Sequence, residues 1–238
     1  MTYVLYLDAY HLGDPLFLQG LARWVAQAGP QRPSLWLVHG SGERAERLLE
    51  AQGLFPERSG GVWAVTRPEE RALVERALRE TNRTIVATLT DAVVPAVGIH
   101  GIDRNLMRRQ ADGTVVVGRI GWVRDLARQR VVPVLSTLVT DAASGQPGEA
   151  AAGAVLRALA EAMRPEAMTA VALLKADTPG IRQEGKTLAE VPAEALAGGD
   201  WLPDPAPVEA LAAAGVPVLL TNRRGLLAPD GPLGTRVC

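Results

Sequence analysis

The sequence predicts an α/β protein whose central sheet is mainly parallel and is covered by helices on both faces. Two observations support this class: apolar runs alternate with amphipathic helical patterns, and three of the runs end in glycine-bearing turns. The strand-like runs cover residues 3–7, 34–38, 84–89, 96–99, 131–135, 170–174 and 216–220. Helical patterns cover residues 16–27, 44–52, 68–79, 149–163 and 208–214.

The segment 112–125 interrupts this alternation of strands and helices. Its Asp112-Gly113 pair, followed by the apolar runs 114–117 and 118–123, predicts a hairpin or a small meander. A second irregular region, 179–207, is rich in glycine and proline and predicts mostly loop with one short helix near 193–197.

Composition excludes several classes of protein. The chain has 238 residues with a net charge of −1, so no basic field favours nucleic acid or an anionic membrane. Its single cysteine, Cys238, cannot form a disulfide framework or a cysteine metal site. No apolar run approaches the ~18 residues of a membrane span, and the chain begins directly with a strand-like run. We expect one cytoplasmic domain over residues 1–238, without nucleic-acid or membrane partners.

Motifs for metal binding and for a serine nucleophile are missing. The histidines are His11, His39 and His100, and none is spaced as in His-x-x-x-His, so we expect no metal site. The sequence contains no Gly-x-Ser-x-Gly elbow. Two basic stretches, 104–109 and 223–224, either bind anions or form solvated surface.

The run 34–38 ends in His39-Gly40-Ser41-Gly42, and an amphipathic helical pattern follows at once. A glycine turn at a helix N-terminus holds phosphate, because its backbone N–H groups and the helix dipole face the anion. The same residues also make a tight structural turn. Both interpretations stay open at this point.

Two more strand ends carry polar residues beside glycine. In the segment 98–104, Asp103 and Arg104 either hold a polar ligand or form a turn with a solvated ion pair. After the run 170–174, Lys175 could reach a phosphate and Asp177 a ribose hydroxyl or a magnesium-bound water. Three such ends on a parallel sheet predict a ligand cleft along its carboxyl edge.

These strand ends, in this order, resemble the amino-acid kinase superfamily, and within it acetylglutamate kinase. The family's His-Gly-Gly-Gly is similar to residues 39–42, its Gly-Leu-Ser-Gly-x-Asp-Gly loop to 98–104, and its Leu-Thr-Asp-Val-Pro-Gly-Val segment to 174–181. The closing Gly-x-Gly-Thr resembles 231–235. The resemblance implies a three-layer α/β/α sandwich with a mainly parallel central sheet, ATP and magnesium as cofactors, and a homodimer.

The resemblance also implies a reaction: ATP-dependent phosphorylation of the carboxylate of an N-acetylated acidic amino acid, in arginine or lysine biosynthesis. Residues 1–166 would be the acyl-acceptor half and 167–238 the nucleotide half. The catalytic residues would be Lys175, Glu149 and Asp177. The substrate would contact His39, Gly40, Ser41, Gly42, Arg67, Gly101 and Asp103. The nucleotide would contact Asp177, Thr178, Pro179 and Gly180.

The chain departs from the family where the family carries its catalytic lysines. The first, in Lys-x-Gly-Gly, is replaced by Tyr6, and the second, in Ile-Pro-Lys, aligns with Asp204. The substrate-binding Arg-Val-Thr aligns with residues 64–66, with Arg67 displaced beyond the threonine. The Asn-x-Asn-Ala-Asp loop aligns with 145–149 and keeps only its acid. A second hypothesis is therefore a catalytically degenerate relative that binds a metabolite or nucleotide as a regulatory or partner subunit.

Overall fold

A central sheet organises the chain, of which the computed structural model describes residues 2–28, 33–164, 166–226, 228 and 231–238. The strands are β1 Thr2–Leu7, β2 Ser34–His39, β3 Arg58–Ser59, β4 Val62–Trp63, β5 Ala96–His100, β6 Met107–Arg109, β7 Val115–Val117, β8 Val132–Ser136, β9 Leu138–Asp141, β10 Pro147–Glu149, β11 Met168–Leu173, β12 Arg182–Gln183, β13 Lys186–Thr187, β14 Glu190–Val191, β15 Val218–Thr221 and β16 Thr235–Val237. The helices are α1 Ala9–Leu12, α2 Pro15–Gln27, α3 Glu43–Glu50, α4 Pro68–Asp91, α5 Gly121–Arg128, α6 Ala152–Ala162, α7 Ala206–Ala213 and α8 Arg223–Leu226, with 3-10 turns at Asp103–Asn105 and Ala193–Gly198.

The central sheet has the strand order β14-β16-β15-β11-β1-β2-β8-β5. Every neighbouring pair in it is parallel except β15 and β16. A smaller sheet, β10-β9-β6-β7, and the hairpins β3-β4 and β12-β13 lie outside it. The predicted mainly parallel sheet is confirmed, and the carboxyl ends of its parallel strands meet at one edge.

Strand β2 shows how the sheet is covered on both faces. Leu35 and Leu37 belong to an apolar cluster with buried residues of α2 and α4. Trp36 and Val38, which point to the opposite face, belong to a cluster with buried residues of α5, α6 and α7. Burial on both faces explains why β2 reads as a continuous apolar run. The predicted three-layer α/β/α sandwich is confirmed.

The strand predicted for residues 84–89 is wrong, because this segment continues helix α4. Its β-branched residues favour a strand locally. In the helix, however, the Thr84 and Thr88 hydroxyls donate to the carbonyls four residues earlier, at 3.0 and 2.9 Å. Ile85 and Leu89, also four residues apart, are buried on one face. Tertiary burial of that face outweighs the local preference.

The start of α4 is stabilised by the side chain of Glu70, in the first turn of the helix. The Glu70 carboxylate accepts hydrogen bonds from the backbone N–H groups of Thr66 and Arg67, each at 3.1 Å. These bonds satisfy donors at the first turn of the helix that would otherwise lack partners.

The predicted hairpin at Asp112-Gly113 is present and joins β6 to β7. The strand-like reading of residues 118–123 is wrong, because helix α5 begins at Gly121. Val123 is buried, and Leu126 and Ala127 pack partly against the same core cluster, so the apolar positions follow helical spacing. None of the helices in the described ranges is long and apolar enough to cross a membrane.

Val93 ends helix α4 in a backbone conformation that valine rarely adopts. Its φ is 61° and its side chain is 88 % exposed. The Val93 N–H bonds to the Thr90 carbonyl at 2.8 Å and the Val94 N–H to the Leu89 carbonyl at 2.9 Å, as in a helix end that favours glycine.

Replacing this valine, Val93→Gly, should therefore raise the free energy of unfolding by about 1 kcal/mol. Left-handed backbone costs an L-residue about 1–2 kcal/mol, and the added freedom of glycine in the unfolded chain offsets part of that gain. Urea titration measures the change. The control is Val116→Gly, at an exposed valine of strand β7, which should lower stability. A loss of stability in Val93→Gly would contradict the assignment of strain.

Candidate functional site

The three predicted strand ends, those of β2, β5 and β11, lie at the carboxyl edge of the sheet together with the ends of β1 and β8. Leu7 of β1 lies beside His39 of β2, and both His39 and His100 lie beside Ser136 of β8. The His100 Nδ1 atom is 2.7 Å from the Ser136 hydroxyl. This edge is the place where open α/β sheets bind ligands.

The glycine turn after β2 holds a carboxylate from this chain itself. The Ser41 backbone N–H donates to Glu149 Oε1 at 2.7 Å, and the Ser41 hydroxyl donates to Oε2 at 3.1 Å. A Cβ atom on Gly40 would lie 3.1 Å from Glu149 Oε1, so glycine allows this approach. Gly42 has a φ of 59° and begins helix α3. The Ser41 N–H group, which would face a phosphate, instead faces Glu149, whose pKa is raised by burial.

His39 is fully buried, and hydrogen bonds of its ring stabilise the glycine turn. Its Nδ1 atom donates to the Gly40 carbonyl at 2.8 Å, and its Nε2 atom accepts from the Asn82 amide at 3.0 Å. Asn82 also donates to the Val134 carbonyl at 2.9 Å. Burial lowers the pKa of His39 to about 4, so the ring is neutral near pH 7. The structure therefore places His39 in the scaffold of the turn.

Tyr6 and Asp204, the two positions aligned with the family's lysines, contact each other. The Tyr6 hydroxyl donates to Asp204 Oδ2 at 3.0 Å. Both residues line a cleft of about 530 Å³ that extends to the first residues of α6 and α7. The fold thus brings into contact two side chains that lie 198 residues apart in the sequence.

Negative charge surrounds the Tyr6–Asp204 pair. Burial and the Asp204 carboxylate raise the pKa of Tyr6 well above its usual value, and the charges of Asp8 and Glu149 act in the same direction. Burial and the charge of Asp8 raise the pKa of Asp204. Asp8 is itself buried, caps α1 and lies 2.7 Å from His11 Nδ1. We call Tyr6, Asp8, Glu149 and Asp204 the acidic centre.

A second cleft, of about 410 Å³, lies beside the acidic centre and next to the β3-β4 hairpin. We call it the hairpin cleft; its polar lining includes Ser59, Trp63, Arg71, Arg109, Asp141 and Glu149. The hairpin turns at Gly60 and Gly61, both with positive φ, as a two-residue turn requires. The Arg58 guanidinium lies 4.4 Å from the Trp63 ring centre, which stabilises the hairpin by a cation–π contact.

Two arginines line the hairpin cleft. Within the described part of the chain, one of them is bonded to other residues and the other is not. Arg109 donates to Asp141 Oδ2 at 3.1 Å and to the Glu149 carbonyl at 2.9 Å. Hydrogen bonds from Ser144 and from Arg109 lower the pKa of Asp141 to about 2. The Arg71 guanidinium has no hydrogen bond or ion pair with any residue in the described ranges. The Trp63 Nε1 atom is buried and also lacks an acceptor there.

A third cleft, of about 360 Å³, lies at the ends of β11 and β15. We call it the strand-end cleft; it is lined by His11, Lys175, Asp177, Asn222, Arg223 and Arg224, among others. Lys175 forms an ion pair with the exposed Asp200. The structure thus brings the predicted residues Lys175 and Asp177 to one cleft, whereas the predicted Glu149 lies at the glycine turn.

Other predicted substrate residues have structural partners. The Arg67 Nε atom donates to Glu70 Oε1 at 2.8 Å, so its guanidinium supports the start of α4. The Asp103 carboxylate accepts from the His100 backbone N–H at 2.7 Å and closes a turn. A Cβ atom on Gly101 would lie 2.6 Å from the Leu138 carbonyl, so this glycine permits close packing against β9.

The predicted nucleotide loop packs against the end of the chain. Gly180 is buried with a φ of 83°, and a Cβ atom there would lie 2.8 Å from the Thr235 hydroxyl. Pro179 lies against Gly225 of α8. Thr178 is half-buried, and Asp177 is exposed. Across the described part of the chain, no three His, Cys, Asp or Glu residues group closely enough to hold a metal ion.

Sequence reasoning missed Arg71 and Trp63 in the hairpin cleft. The signal for the hairpin was Gly60-Gly61, a pair typical of two-residue turns. Arg71 follows Arg67 by one helical turn, so either arginine could have faced the cleft. Only the pairing of Arg67 with Glu70 decides between them. For Arg109, the sequence indicates only membership of the basic stretch 104–109.

The fold is a three-layer α/β/α sandwich with clefts along the carboxyl edge of its central sheet. The sequence pattern of the amino acid kinase family matches residues 13–222. Acetylglutamate kinase from Chloroflexus aurantiacus is 30% identical over 198 residues, which cover 78% of this chain and 74% of that one. The chain belongs to the amino acid kinase family.

Solved structures share this fold at low sequence identity. Isopentenyl phosphate kinase superposes with a TM-score of 0.68 at 18% identity, covering all of both chains. N-acetylglutamate synthase from Neisseria gonorrhoeae, complexed with coenzyme A and N-acetyl-glutamate, superposes with a TM-score of 0.70 at 18% identity. That match covers 100% of this chain and 59% of the synthase. These likenesses support the fold.

The depressed pKa of His39 predicts a pH dependence of stability. Between its unfolded value of about 6.5 and its folded value of about 4, the unfolded chain binds the proton first. The contribution of His39 to the free energy of unfolding therefore has its full value above about pH 6.5. About 3 kcal/mol of this contribution is lost as the pH falls to 4. In His39→Gln, the free energy of unfolding, measured by urea titration, should fall less steeply over this range. Equal slopes in the two proteins would contradict a neutral, buried His39.

Proposed function

We propose that this protein binds a small carboxylate-bearing metabolite in the hairpin cleft and does not transfer phosphoryl groups by the family's lysine-dependent route. The hydrogen bond between Tyr6 and Asp204 carries this proposal, because it joins the two positions aligned with the catalytic lysines. A binding protein of this kind would act as a regulatory or partner subunit.

The charge of the acidic centre opposes phosphoryl transfer. Transfer requires cations that stabilise the phosphoryl oxygens in the transition state. A carboxylate about 4 Å from a phosphoryl oxygen instead repels it by about 4 kcal/mol at an effective dielectric near 20. A loss of that size slows a reaction about a thousandfold. Asp204 and Glu149 would each contribute such a repulsion when ionised.

The hairpin cleft has the chemistry that recognises a carboxylate. Arg71 offers a guanidinium without a partner among the described residues, and guanidinium groups pair with carboxylates through two parallel hydrogen bonds. Trp63 offers a buried N–H group that lacks an acceptor in the described chain. Arg109, fixed by Asp141, adds a second positive charge. The relatives' name supports N-acetylglutamate as the first metabolite to test.

A second candidate is the family reaction itself, ATP-dependent phosphorylation of such a carboxylate. The observation that favours it is the strand-end cleft, where Lys175, Arg223 and Arg224 line one space and would hold the phosphates of ATP. Magnesium there needs only one or two carboxylates besides phosphate, and Asp177 could supply one. ATP would supply the phosphoryl group. The residues at the acidic centre do not fit its transfer.

Titration calorimetry with N-acetylglutamate tests the binding proposal. Wild type should bind, and Arg71→Gln should weaken binding about ten- to hundredfold, because a charge-assisted hydrogen bond contributes about 1.5–3 kcal/mol. The matched control is Arg67→Gln, four residues earlier in the same helix. Its guanidinium is paired with Glu70 and half-exposed, so binding should change by no more than about twofold.

Two results would contradict the proposal. One is equal affinity in wild type and Arg71→Gln, which would exclude Arg71 from the site. The other is the absence of binding by wild type to N-acetylglutamate and to related N-acetylated acidic amino acids.

A further inference from the structure

A fourth cleft lies at the opposite edge of the sheet, where strands β1 and β2 begin. Its volume is about 370 Å³, and it is lined by Thr2, Ser34, Trp36, Arg124, Arg128 and Glu166, among others. We call it the amino-edge cleft. Strand β2 separates it from the glycine turn by its six residues, a distance of about 17 Å. It therefore shares no lining residue with the hairpin or strand-end clefts.

Two of the lining side chains hold buried donors without acceptors. The Trp36 Nε1 atom and the Arg124 Nε atom are buried and form no hydrogen bond within the part of the chain that the structure describes. Trp36 is only 1% exposed. Buried donors without a partner are rare in folded proteins, because each loses its hydrogen bonds to water. Two of them at one cleft indicate an acceptor from outside the described part of the chain.

The charge of the lining favours an anion. Three arginines, Arg124, Arg128 and Arg130, face the cleft together with one acid, Glu166. Arg128 is exposed and bonds both Asp125 and Glu166, each at 3.2 Å. A hydrogen bond that the Arg124 guanidinium donates to the Ala162 carbonyl, at the end of α6, fixes the position of this group. The Nε–H group of the same guanidinium is thus fixed in place.

We propose that the amino-edge cleft binds a small oxyanion, a carboxylate or phosphate of metabolite size. The Trp36 and Arg124 N–H groups are the donors, and the arginines supply the charge. Fixed donors of this kind bind oxyanions well, because hydrogen bonds from a guanidinium to a charged acceptor are about twice as strong as neutral ones.

Nuclear magnetic resonance of ¹⁵N-labelled protein tests this site directly. The indole N–H signal of Trp36 is assigned by its loss in Trp36→Phe, and that of Trp63 by its loss in Trp63→Phe. Inorganic phosphate and succinate are titrated separately, which distinguishes the two sources of oxyanion. We expect one of the two anions to shift the Trp36 signal with a saturating curve. The same shift is expected in Arg71→Gln, in which the hairpin cleft is altered.

Arg124→Lys keeps the positive charge and removes the Nε–H donor. It should raise the dissociation constant from the same titration by about tenfold or more, the effect of losing one charge-assisted hydrogen bond. A circular dichroism melt checks that the variant folds, and Trp36→Phe, followed by calorimetry, should show the same loss. The proposal would be overturned if neither anion moved the Trp36 signal, or if affinity stayed unchanged in both variants.

Discussion

The hydrogen bond from Tyr6 to Asp204 is the interaction on which the chemistry of this molecule depends. It joins the end region of β1 to the loop before α7, and its two residues are those that the sequence resemblance aligns with the family's catalytic lysines. Asp8 and Glu149 add negative charge around it. The carboxyl ends of parallel strands lie at one edge of the sheet. A change of charge at these positions therefore alters the electrostatic potential throughout the acidic centre.

Glu149 completes this arrangement by binding inside the glycine turn. The turn keeps the backbone shape that holds an anion, and the chain fills it with its own carboxylate at 2.7 Å from the Ser41 nitrogen. A phosphate would have to compete with a tethered, correctly oriented group. The hairpin cleft is different, because Arg71 has no such internal partner within the described chain. Under the proposed function, the hairpin cleft offers a place for a carboxylate, and the glycine turn offers none for a phosphoryl group.

Much of the fold was predictable from the sequence because parallel strands buried on both faces give unmistakable apolar runs. Residues 84–89 were an exception. Their β-branched residues favour a strand locally, but the burial of Ile85 and Leu89 stabilises helix α4 instead. The site was predictable in its location but less so in its residues. The sequence does not show which arginine pairs with Glu70, because Arg67 and Arg71 lie on one helical face. In the structure Glu70 pairs with Arg67, and Arg71 lines the hairpin cleft. That choice is made by contacts between side chains.

Trapping of acyl phosphate with hydroxylamine tests the acidic centre most directly. Purified protein that binds N-acetylglutamate by calorimetry is incubated with ATP, magnesium and N-acetylglutamate, and the hydroxamate is measured over time. An acidic centre without lysines predicts turnover at least a thousandfold below the ~10 per second of a typical enzyme. Turnover within about tenfold of that rate would contradict it, and would show that other cations replace the missing lysines.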